Sequence, residues 1–490
     1  MKIILVNPPA LFSDGSLNPV QSYYPPLGLL YIAAVLEEAG YEVHVCDAAI
    51  NNMNFEQVRR YIKGYDIIGI TTFSGTRESA YLCASIAKEE NKGSTVVMGG
   101  PHVTFLAENI LKTLPFVDVV VRGEGELTFL ELIQGIVINK SYGDIKGISF
   151  RNEKGTPYSN PDREFIKNLD LLPFPARHLV PMGKYLKAAS KMVHLKRPAT
   201  TIITSRGCPG NCIYCSTPTM WGRQIRRRTP QNVVKEIEYL HNTYGINDVF
   251  IWDDTFPANK GWIKDFCNEL ILSRLGISWQ CLGRVDTVDR ELLTVMKKAG
   301  CYLIAYGFES GSQKTLNTIH KSTNIEEATE AIKITKETGM FIVGCFIAGL
   351  PDESEEDIEQ TSVFIKKSPL NDYSINVPWI FPGTALYRRA LEEGKIDEMI
   401  WFKPFRLAKS SSVQPSYPIY VSDRLSVEKL LYTLQEINMR KFRDFYSLKR
   451  LIRFIISTTP LSRLIYKVPL LLLKNVRRNI PRSGASIVVL

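Results

Sequence analysis

The chain has 490 residues, 45% of them hydrophobic and 22% charged, so it exceeds what one hydrophobic core usually supports and predicts at least two domains. It has no run of about 18 uncharged apolar residues and opens directly on a strand-like segment, so we predict a cytoplasmic protein without a membrane span. Its nine cysteines are odd in number and mostly unrelated in spacing, which argues against a secreted, disulfide-stapled protein.

Residues 1–135 alternate short apolar segments with helical patterns. "KIILVNPP" is the first of five predicted strands, and "PLGLLYIAAVLEEAG" is the first of the helices between them. This alternation predicts an α/β domain of the doubly wound, Rossmann-like kind, in which helices cover both faces of a parallel sheet.

Ligands of such sheets bind at the carboxyl ends of the strands. Glycines and small polar residues follow the predicted strands, and a glycine allows the backbone to approach a large ligand closely. We therefore predict a ligand site at this edge of the sheet. Its candidate contact residues are Pro8, Thr71, Thr72, Ser74, Gly99, Gly100, His102, Gly123 and Glu124.

A polar stretch with short strands comes next, and the three prolines of "LLPFPARHLVP" then indicate an extended connector. From "ATTIITSRGC" onward, six apolar strands alternate with helix-length segments. Six repeats are too few for a closed eight-unit barrel, so they predict a partial (β/α)6 barrel with its active site at the carboxyl ends of the strands. The predicted divisions are a first domain at 1–140, a linker at 141–190, the barrel at 191–410 and a mainly helical extension at 411–490.

Three cysteines follow the first strand of the predicted barrel: Cys208, Cys212 and Cys215, spaced C-x3-C-x2-C within "SRGCPGNCIYCS". Thiolates at this density are soft ligands for zinc or an iron-sulfur cluster. A structural zinc site has four closed ligands, and no second cysteine pair or nearby histidine completes one here. A four-iron cluster held by three thiolates would leave one iron open to a substrate or cofactor.

The cysteine motif, with Tyr214 directly before its third cysteine, resembles the radical S-adenosylmethionine (SAM) superfamily. The resemblance implies that SAM chelates the open iron of a [4Fe-4S] cluster, and that an electron from the cluster cleaves SAM to methionine and a 5′-deoxyadenosyl radical. It also implies a flavodoxin- or ferredoxin-type electron donor. "YGFESGSQKTLNTIHK" and "IAGLPDES" are similar to the superfamily's motifs after the fourth and fifth strands. The SAM contacts implied by these motifs are Tyr214, Glu309, Ser310, Gly349 and Pro351.

Two residue pairs near the predicted barrel mouth each keep two interpretations. Asp253 and Asp254 end a strand, where they would orient substrate or SAM, or where one of them would cap the following helix. Arg284 and Asp286 would form an ion pair beneath the site or contact SAM. We include Asp254 and Arg284 among the candidate SAM contacts.

The N-terminal segments "NPP", "PPLGLLYIAAVLEEAGYEV", "GGPHVT" and "VRGEGE", followed by "LDLLPFPARHL", are similar to the cobalamin (B12)-binding class of radical SAM proteins. The resemblance covers most of residues 1–410. That class includes the class B methyltransferases, which act on unactivated carbon or phosphorus, and the anaerobic Mg-protoporphyrin ester cyclase type.

One signature of classical cobalamin domains, D-x-H-x-x-G, is missing from the chain, and neither His44 nor His102 has that context. The resemblance therefore implies cobalamin bound without a protein histidine on cobalt. We interpret His102 as a contact to the nucleotide tail of cobalamin or as a structural loop residue. The alternative for the whole domain is an inherited fold that packs on the barrel and binds nothing.

Residues 424–490 carry 14 Lys or Arg against 3 acids, a surplus of 11 positive charges that exceeds the net charge of +10 of the whole chain. In "KFRDFYSLKRLIRFIISTTPLSRLIYKVPLLLLKNVRRNIPR" the basic residues interleave with apolar ones, as is typical of helices that lie in an anionic membrane interface. We predict peripheral contact with the inner face of a membrane. A helical cap on the barrel is the alternative, and no motif supports nucleic acid.

Two enzyme functions remain open from the sequence. The first is a cobalamin-dependent methyltransferase that acts on an unactivated carbon of a small hydrophobic or lipid-like substrate. The second is a radical SAM oxidoreductase, cyclase or carbon-carbon coupling enzyme that acts on a lipid or tetrapyrrole without methyl transfer. A binding or sensor protein is disfavoured, because it would leave the SAM-contact motifs without a purpose.

Overall fold

The computed structural model describes residues 1–10, 24–189, 196, 198–403, 418–428, 430 and 432–437. Within these residues the chain forms a seven-stranded sheet, a six-stranded sheet and a two-stranded ribbon. The α/β class and the succession of a doubly wound domain and a partial barrel are therefore confirmed. The predicted mainly helical extension lies for most of its length outside the described residues.

The first sheet has the strand order β2-β1-β3-β4-β5-β6-β7. Strands β1 to β5 are parallel, and β6 and β7 join the edge in antiparallel fashion. The order 2-1-3-4-5 places a topological switch point between β1 and β3, where doubly wound sheets bind ligands. The strands are β1 (Ile3–Asn7), β2 (Val43–Asp47), β3 (Ile67–Thr71), β4 (Thr95–Gly99), β5 (Val119–Val121), β6 (Ile148–Arg151) and β7 (Pro157–Ser159).

Helices cover both faces of this sheet and produce two separate cores. The parallel strands β1, β3, β4 and β5 are almost continuously apolar, and their side chains are buried on both faces of the sheet. The helices of this domain are α1 (Leu27–Glu38), α2 (Ala48–Asn51), α3 (Phe55–Ile62), α4 (Arg77–Glu90), α5 (Pro101–Thr104), α6 (Ala107–Thr113) and α7 (Gly125–Val137).

The connector between the sheets is fixed by a buried ion network. Arg177 donates to Glu236 with an Nη1–Oε1 distance of 2.6 Å, and Arg228 donates to the other oxygen of the same carboxylate. Arg177 and Glu236 are fully buried. The connector is therefore packed between the two sheets, and α8 (Met182–Ala189) follows it.

The second sheet has the order β8-β11-β12-β13-β14-β15, with every neighbouring pair parallel. This is the predicted partial (β/α)6 barrel. Its strands, with the β9–β10 ribbon, are β8 (Ala199–Ile202), β9 (Ser205–Arg206), β10 (Arg226–Arg227), β11 (Asp248–Ile251), β12 (Ser278–Gly283), β13 (Cys301–Glu309), β14 (Phe341–Ile347) and β15 (Asp372–Asn376). The helices are α9 (Thr217–Trp221), α10 (Pro230–Tyr244), α11 (Lys260–Leu272), α12 (Arg290–Lys298), α13 (Gln313–Thr318), α14 (Ile325–Glu337), α15 (Glu355–Lys367) and α16 (Ala385–Glu392).

Side chains alternate between the two faces of the barrel strands with period two. In β13, Ile304, Tyr306 and Phe308 pack outward against the helices, whereas Leu303 and Ala305 belong to the opposite face. The same alternation directs Glu309 toward the inner face. Glu309 therefore lies on the face of the sheet that the helices do not cover.

The segment after β15 returns to the first domain. Ile380, Leu386, Trp401 and Tyr420 are buried in the same core as the apolar residues of β1, β3 and α4. Phe105 of the first domain packs against Gly383, where an added Cβ would lie 2.5 Å from the ring. The two domains therefore share one core on this face. Among the described residues, no helix is both long and apolar enough to cross a bilayer.

One buried carboxyl group makes the stability of the barrel sensitive to pH. Asp248 begins β11, is fully buried, and accepts hydrogen bonds from the Lys196 amide at 2.7 Å and the Tyr302 hydroxyl at 2.8 Å. Burial raises the pKa of Asp248 from 3.8 to about 7, against the opposing effect of these bonds. Between pH 3.8 and about 7, the folded protein therefore keeps the Asp248 proton that the unfolded chain has lost.

We predict that this proton makes the free energy of unfolding fall as pH rises from about 4 to about 7, because the folded state binds the extra proton throughout that window. Asp248→Asn cannot ionise, so its loss of stability between pH 5 and pH 8 should be smaller by roughly 1–3 kcal/mol. Urea unfolding across this range measures the difference. Asp265→Asn, an exposed change on α11, should keep the parent's slope. An unchanged slope in Asp248→Asn would contradict the prediction.

Candidate functional site

The three cysteines lie on one loop, residues 207–225, which we call the cysteine loop. It is closed at its base by β9 and β10, which pair Arg206 with Arg226 and Ser205 with Arg227. Gly207 has a φ of +102°, and a Cβ there would lie 2.4 Å from the Gln224 carbonyl oxygen. Only glycine therefore allows the loop to close at this point.

Two of the cysteine sulfurs face one open space. The Sγ atoms of Cys208 and Cys212 lie 3.4 and 3.8 Å from the point where a Cβ on Gly210 would stand. Cys215 donates its amide to the Cys212 carbonyl at 3.1 Å, and its sulfur accepts from the Thr217 amide at 3.4 Å. These three cysteines are half-buried, whereas five of the other six are buried. They share this partial exposure with Cys345, which lines the inner cavity described below.

The donor set suits a cluster better than a single ion. Among the described residues, no group of three or more Cys, His, Asp or Glu side chains is arranged to hold one metal ion. A cluster spreads its thiolates over several irons, so its ligands do not converge on one point as zinc ligands do. Burial raises the pKa of the Cys215 thiol to about 11, so iron binding must release a proton there.

A buried ion pair lies on the inner face of the barrel beside the cysteine loop. Glu309 accepts a hydrogen bond from Lys321 with an Oε1–Nζ distance of 2.8 Å, and both side chains are at most 10% exposed. A Cβ on Gly307 would lie 2.4 Å from the Glu309 oxygen, so that glycine makes room for the pair. Glu309 itself has a φ of +65°, a strained conformation that is frequent at functional sites.

Lys321 was not among the candidates from the sequence. It is nevertheless the residue that neutralises Glu309, and this negative carboxylate raises the pKa of Lys321 against the effect of burial. The helix α13 and the turn after it bring the lysine back to the end of β13. No hydrophobic periodicity in the sequence indicates that the chain returns to the end of β13 at Lys321. Only the length of α13 could have indicated this return.

Arg284 places a second cation at the cysteine loop. Its Nη1 atom lies 3.5 Å from the same Gly210 position that the two sulfurs flank. It is held there by a two-bond ion pair to Asp286, at 3.0 and 2.9 Å, and by a bond to the Lys321 carbonyl at 2.9 Å. Arg284 therefore forms the predicted ion pair and also lies beside the cysteine loop, and its contact with SAM stays a prediction.

The two neighbouring aspartates have different surroundings. Asp253 is buried and accepts hydrogen bonds from the hydroxyls of Thr204 and Ser205, which fixes the chain before the cysteine loop. Asp254 accepts from the Thr217 hydroxyl at 2.9 Å, next to Cys215. Neither caps the following helix, because Asn259 is the N-cap of α11.

A cavity of about 190 Å³ opens beside Glu309 and Tyr214 at the carboxyl ends of β13, β14 and β15. Its lining is mainly apolar and aromatic, with a few polar groups, as is usual for small-molecule sites. A larger groove of about 610 Å³ lies between α14 and α15 on the outside of the barrel and contains none of the predicted site residues. The remaining residues of the inner cavity are Cys345, Phe346, Ile347, Ser374, Asn376, Val377, Pro378, Trp379 and Phe381.

Five of the seven predicted SAM contacts do not line this cavity: Asp254 and Arg284, described above, and Ser310, Gly349 and Pro351. The Ser310 hydroxyl is within 3.0 Å of Thr361 in α15 and accepts from the Ser312 amide at 3.1 Å. Gly349 donates its amide to Glu353 at 2.6 Å, in the loop after β14 that also contains Pro351. Their contact with SAM stays a prediction.

The predicted ligand residues of the first domain converge on one edge of the sheet. Thr71 and Gly99 end adjacent parallel strands, and Pro8 follows β1. Within the part of the chain that the structure describes, the Thr72 hydroxyl is buried without a hydrogen-bond partner, and an added Cβ at Gly123 would meet nothing within 4 Å. An unsatisfied hydroxyl and bare backbone at the strand ends fit a large polar ligand such as cobalamin.

Two predicted contacts at this edge, Ser74 and His102, lie beneath its surface. His102 is 1% exposed, with Nδ1 3.0 Å from the Ser74 hydroxyl and Nε2 2.9 Å from the Tyr81 hydroxyl. Burial lowers the pKa of His102 to about 3, so the ring is neutral. Both ring nitrogens of His102 are therefore already occupied by partners within the protein. Gly100 is also enclosed, since a Cβ there would lie 2.7 Å from the Thr72 carbonyl oxygen.

Glu124, the last predicted contact, is turned toward the barrel. It accepts hydrogen bonds from Arg206 and Arg226 at the base of the cysteine loop. Tyr214 packs against the core of the first domain as well. The cysteine loop and the ligand edge of the first sheet are therefore in direct contact.

Comparison with known families accounts for both halves of the chain. The B12 binding domain family matches residues 16–133, and the Radical SAM superfamily matches residues 202–365. The cofactors that belong to these domains are cobalamin for the first, and a [4Fe-4S] cluster with SAM for the second. They agree with the thiols, cations and bare strand ends described above.

Two similar proteins match most of this chain. The chain is 36% identical to an uncharacterized methyltransferase of Pyrococcus horikoshii over 405 residues, which are 82% of this chain and 86% of that protein. It is 29% identical to the anaerobic magnesium-protoporphyrin IX monomethyl ester cyclase of Rubrivivax gelatinosus over 391 residues, 78% of this chain and 69% of that protein.

A solved structure supports the fold over nearly the whole chain. The radical SAM methyltransferase TsrM of Kitasatospora setae, solved with cobalamin and a [4Fe-4S] cluster, superimposes with a TM-score of 0.71 at 17% identity, covering 89% of this chain and 91% of TsrM. Together with the two family matches and the relative that is 36% identical, this shows that the chain belongs to the cobalamin-binding class of radical SAM enzymes.

Proposed function

We propose that the protein is a cobalamin-dependent radical SAM methyltransferase that acts on an unactivated carbon of a small hydrophobic substrate. The observation that carries the proposal is the contact between the cysteine loop and the ligand edge of the first sheet, through Glu124, Arg206 and Arg226. When bound, the cluster with SAM supplies an oxidant able to remove a hydrogen atom from unactivated carbon, and cobalamin supplies a methyl group. The reaction would need the cluster with SAM and the cobalamin close to the same substrate.

In this proposal Cys208, Cys212 and Cys215 hold the cluster. Arg284 and the Glu309–Lys321 pair fix the charge around it, because a guanidinium and an ammonium favour thiolates and can bind a carboxylate. The candidate SAM contacts are Tyr214, Asp254, Arg284, Glu309, Ser310, Gly349 and Pro351. The strand ends of the first sheet hold cobalamin.

The apolar lining of the inner cavity supports a hydrophobic substrate. Phe346, Ile347, Trp379 and Phe381 line this cavity, and Tyr214, which also lines it, packs against the core of the first domain. Aromatic and aliphatic walls exclude water, which protects a reactive carbon from side reactions. Relatives named as methyltransferases agree with the proposed reaction.

A second candidate function is a radical SAM cyclase or oxidoreductase without methyl transfer. It is favoured by the similarity to the magnesium-protoporphyrin cyclase over 78% of the chain. In that case the same thiols and cations would serve SAM cleavage, while the first domain would bind cobalamin that donates no methyl group. The products formed from SAM distinguish the two functions.

The predicted membrane contact concerns residues 440–482, which lie outside the described residues. Their surplus of basic residues remains the only support for it. We propose it as the means by which the enzyme reaches a lipid-like substrate, with a flavodoxin- or ferredoxin-type protein as electron donor.

Methyl transfer predicts two different products of SAM. The anaerobically reconstituted enzyme, given hydroxocobalamin, reductant, SAM with a deuterated methyl group and a lipid extract, should form S-adenosylhomocysteine together with 5′-deoxyadenosine. Mass spectrometry should also find a deuterated methyl group in one extract component. Formation of 5′-deoxyadenosine with neither S-adenosylhomocysteine nor a labelled product would favour the second candidate function.

Loss of any one cluster ligand should abolish SAM cleavage. Cys208→Ala, Cys212→Ala and Cys215→Ala should each lower the iron content and give no 5′-deoxyadenosine, because two thiolates cannot replace three. Iron analysis and product chromatography measure this. Cys83→Ala, in the buried core of the first domain, is the matched control and should retain both. Cleavage that survives in all three ligand variants would disprove the assignment.

Blocking the edge of the first sheet should weaken cobalamin binding. Gly99 ends β4, and a Cβ there would make only ordinary contacts, at 3.7 and 3.9 Å from Val121. Gly99→Leu should therefore fold, yet lower the affinity for hydroxocobalamin by roughly tenfold or more, since its side chain would occupy the ligand edge. An absorbance titration measures the affinity. Gly183→Leu, at an exposed position of α8, controls for the added volume, and equal affinities in both variants would contradict the prediction.

A further inference from the structure

Two arginines at the base of the cysteine loop are buried against two carboxylates of the first domain. Arg206 of β9 donates to Glu124 with an Nη1–Oε1 distance of 2.9 Å and also to Glu126. Arg226 of β10 donates to both oxygens of Glu124, at 2.8 and 3.0 Å. None of these four side chains is more than 8% exposed. We call them the arginine–carboxylate group.

The carboxylate of Glu124 is saturated by these partners. Besides the two arginines, the Ile166 amide donates to its Oε2 atom at 2.7 Å. The carboxylate therefore accepts four hydrogen bonds, which is about the number that its oxygens can accept. A contact between Glu124 and cobalamin would require one of these bonds to break. The residue instead links the end of β5 to the cysteine loop.

The loop base depends on these carboxylates because its own charges repel each other. Arg206 and Arg226 are direct partners in the β9–β10 ladder, and like charges opposite each other disfavour strand pairing. Two carboxylates compensate the two guanidinium charges. Aromatic rings cover the remaining faces, with Trp221 5.3 Å from Arg206 and Phe165 4.7 Å from Arg226. The first domain thus supplies the charge that keeps the loop closed.

We infer that the arginine–carboxylate group is a positioning device that sets the place of the cysteine loop relative to the first domain, and hence the separation between the iron-sulfur cluster and cobalamin. The loop between β9 and β10 carries all three cysteines, so any shift of its base moves the thiols together. This inference rests on the cofactor sites of the proposed function but not on methyl transfer. None of the four residues lines the inner cavity, so their role is indirect.

The protein contains a matched comparison for this role. Glu236 is also a fully buried carboxylate shared by two arginines, Arg177 and Arg228. Through Arg177 it joins the connector to α10, and its second partner, Arg228, directly follows β10, but Glu236 makes no bond to β9, to β10 or to the cysteine loop. Neutralising either carboxylate should lower stability, since each leaves buried guanidinium charge uncompensated. Only the loss of Glu124 should displace the cysteine loop.

The test compares Glu124→Gln with Glu236→Gln in the full chain. Amide hydrogen exchange of the cofactor-free proteins should be about tenfold faster across residues 207–225 in Glu124→Gln than in the parent, and unchanged there in Glu236→Gln. In reconstituted protein, the reduced cluster should speed the spin relaxation of cob(II)alamin in the parent, and this effect should change in Glu124→Gln alone. Iron and corrinoid contents should be retained in both variants.

Unchanged exchange and unchanged spin relaxation in Glu124→Gln, or equal changes in both variants, would overturn the inference and leave a purely stabilising network. If Glu124→Gln does not fold, Arg226→Lys keeps the charge but loses the planar fork, and it should give the same changes in smaller size. If the unmodified protein shows the relaxation effect but forms no methylated product, the proposed methyl transfer is wrong and this inference still holds. If the unmodified protein holds both cofactors but shows no relaxation effect, this inference is wrong.

Discussion

Parallel strands bring all their carboxyl ends to one edge of a sheet, and the architecture of this enzyme depends on two such edges being held against each other. The first edge ends in Thr71, Gly99 and Gly123, and the second in Glu309 and the inner cavity. The cysteine loop lies between them. Buried ion pairs join its base to the first domain, and hydrogen bonds from the Thr217 hydroxyl to Asp254 and from the Ile213 amide to the Ile319 carbonyl join it to the barrel.

Four cations are concentrated around the cysteine loop, and a contribution to protein stability does not explain this concentration. Arg284 and Lys321 face its thiols, and Arg206 and Arg226 close its base, all with carboxylate partners. Burying so many ion pairs is costly, since desolvation offsets much of the Coulombic attraction. Their arrangement is better understood as a means of fixing geometry and charge around a site, in the same way that the strained Glu309 backbone is tolerated there.

The order of elements was predictable because it depends on local signals. Most of the parallel strands are apolar runs, and the cysteine spacing lies within eight residues, so short segments predict the fold, the family and the thiols. Contacts between distant segments are not predictable in this way. The position of Glu124 after a strand predicts a ligand contact, but its partner Arg206 is 82 residues away and Arg226 is 102 residues away. The position of His102 likewise predicts a residue at the edge, whereas tertiary packing encloses it.

The return of the chain after β15 has a consequence for synthesis. The first domain has the strand pattern of an independent unit, yet Ile380, Leu386 and Trp401 complete the core on one of its faces. During translation the part of that face that these residues cover stays exposed until the barrel strands have been made, because the covering residues follow the last of them in the chain. The first domain and the barrel must therefore complete their folding together, and a chain ending at the last barrel strand would expose apolar surface on a domain that it contains in full.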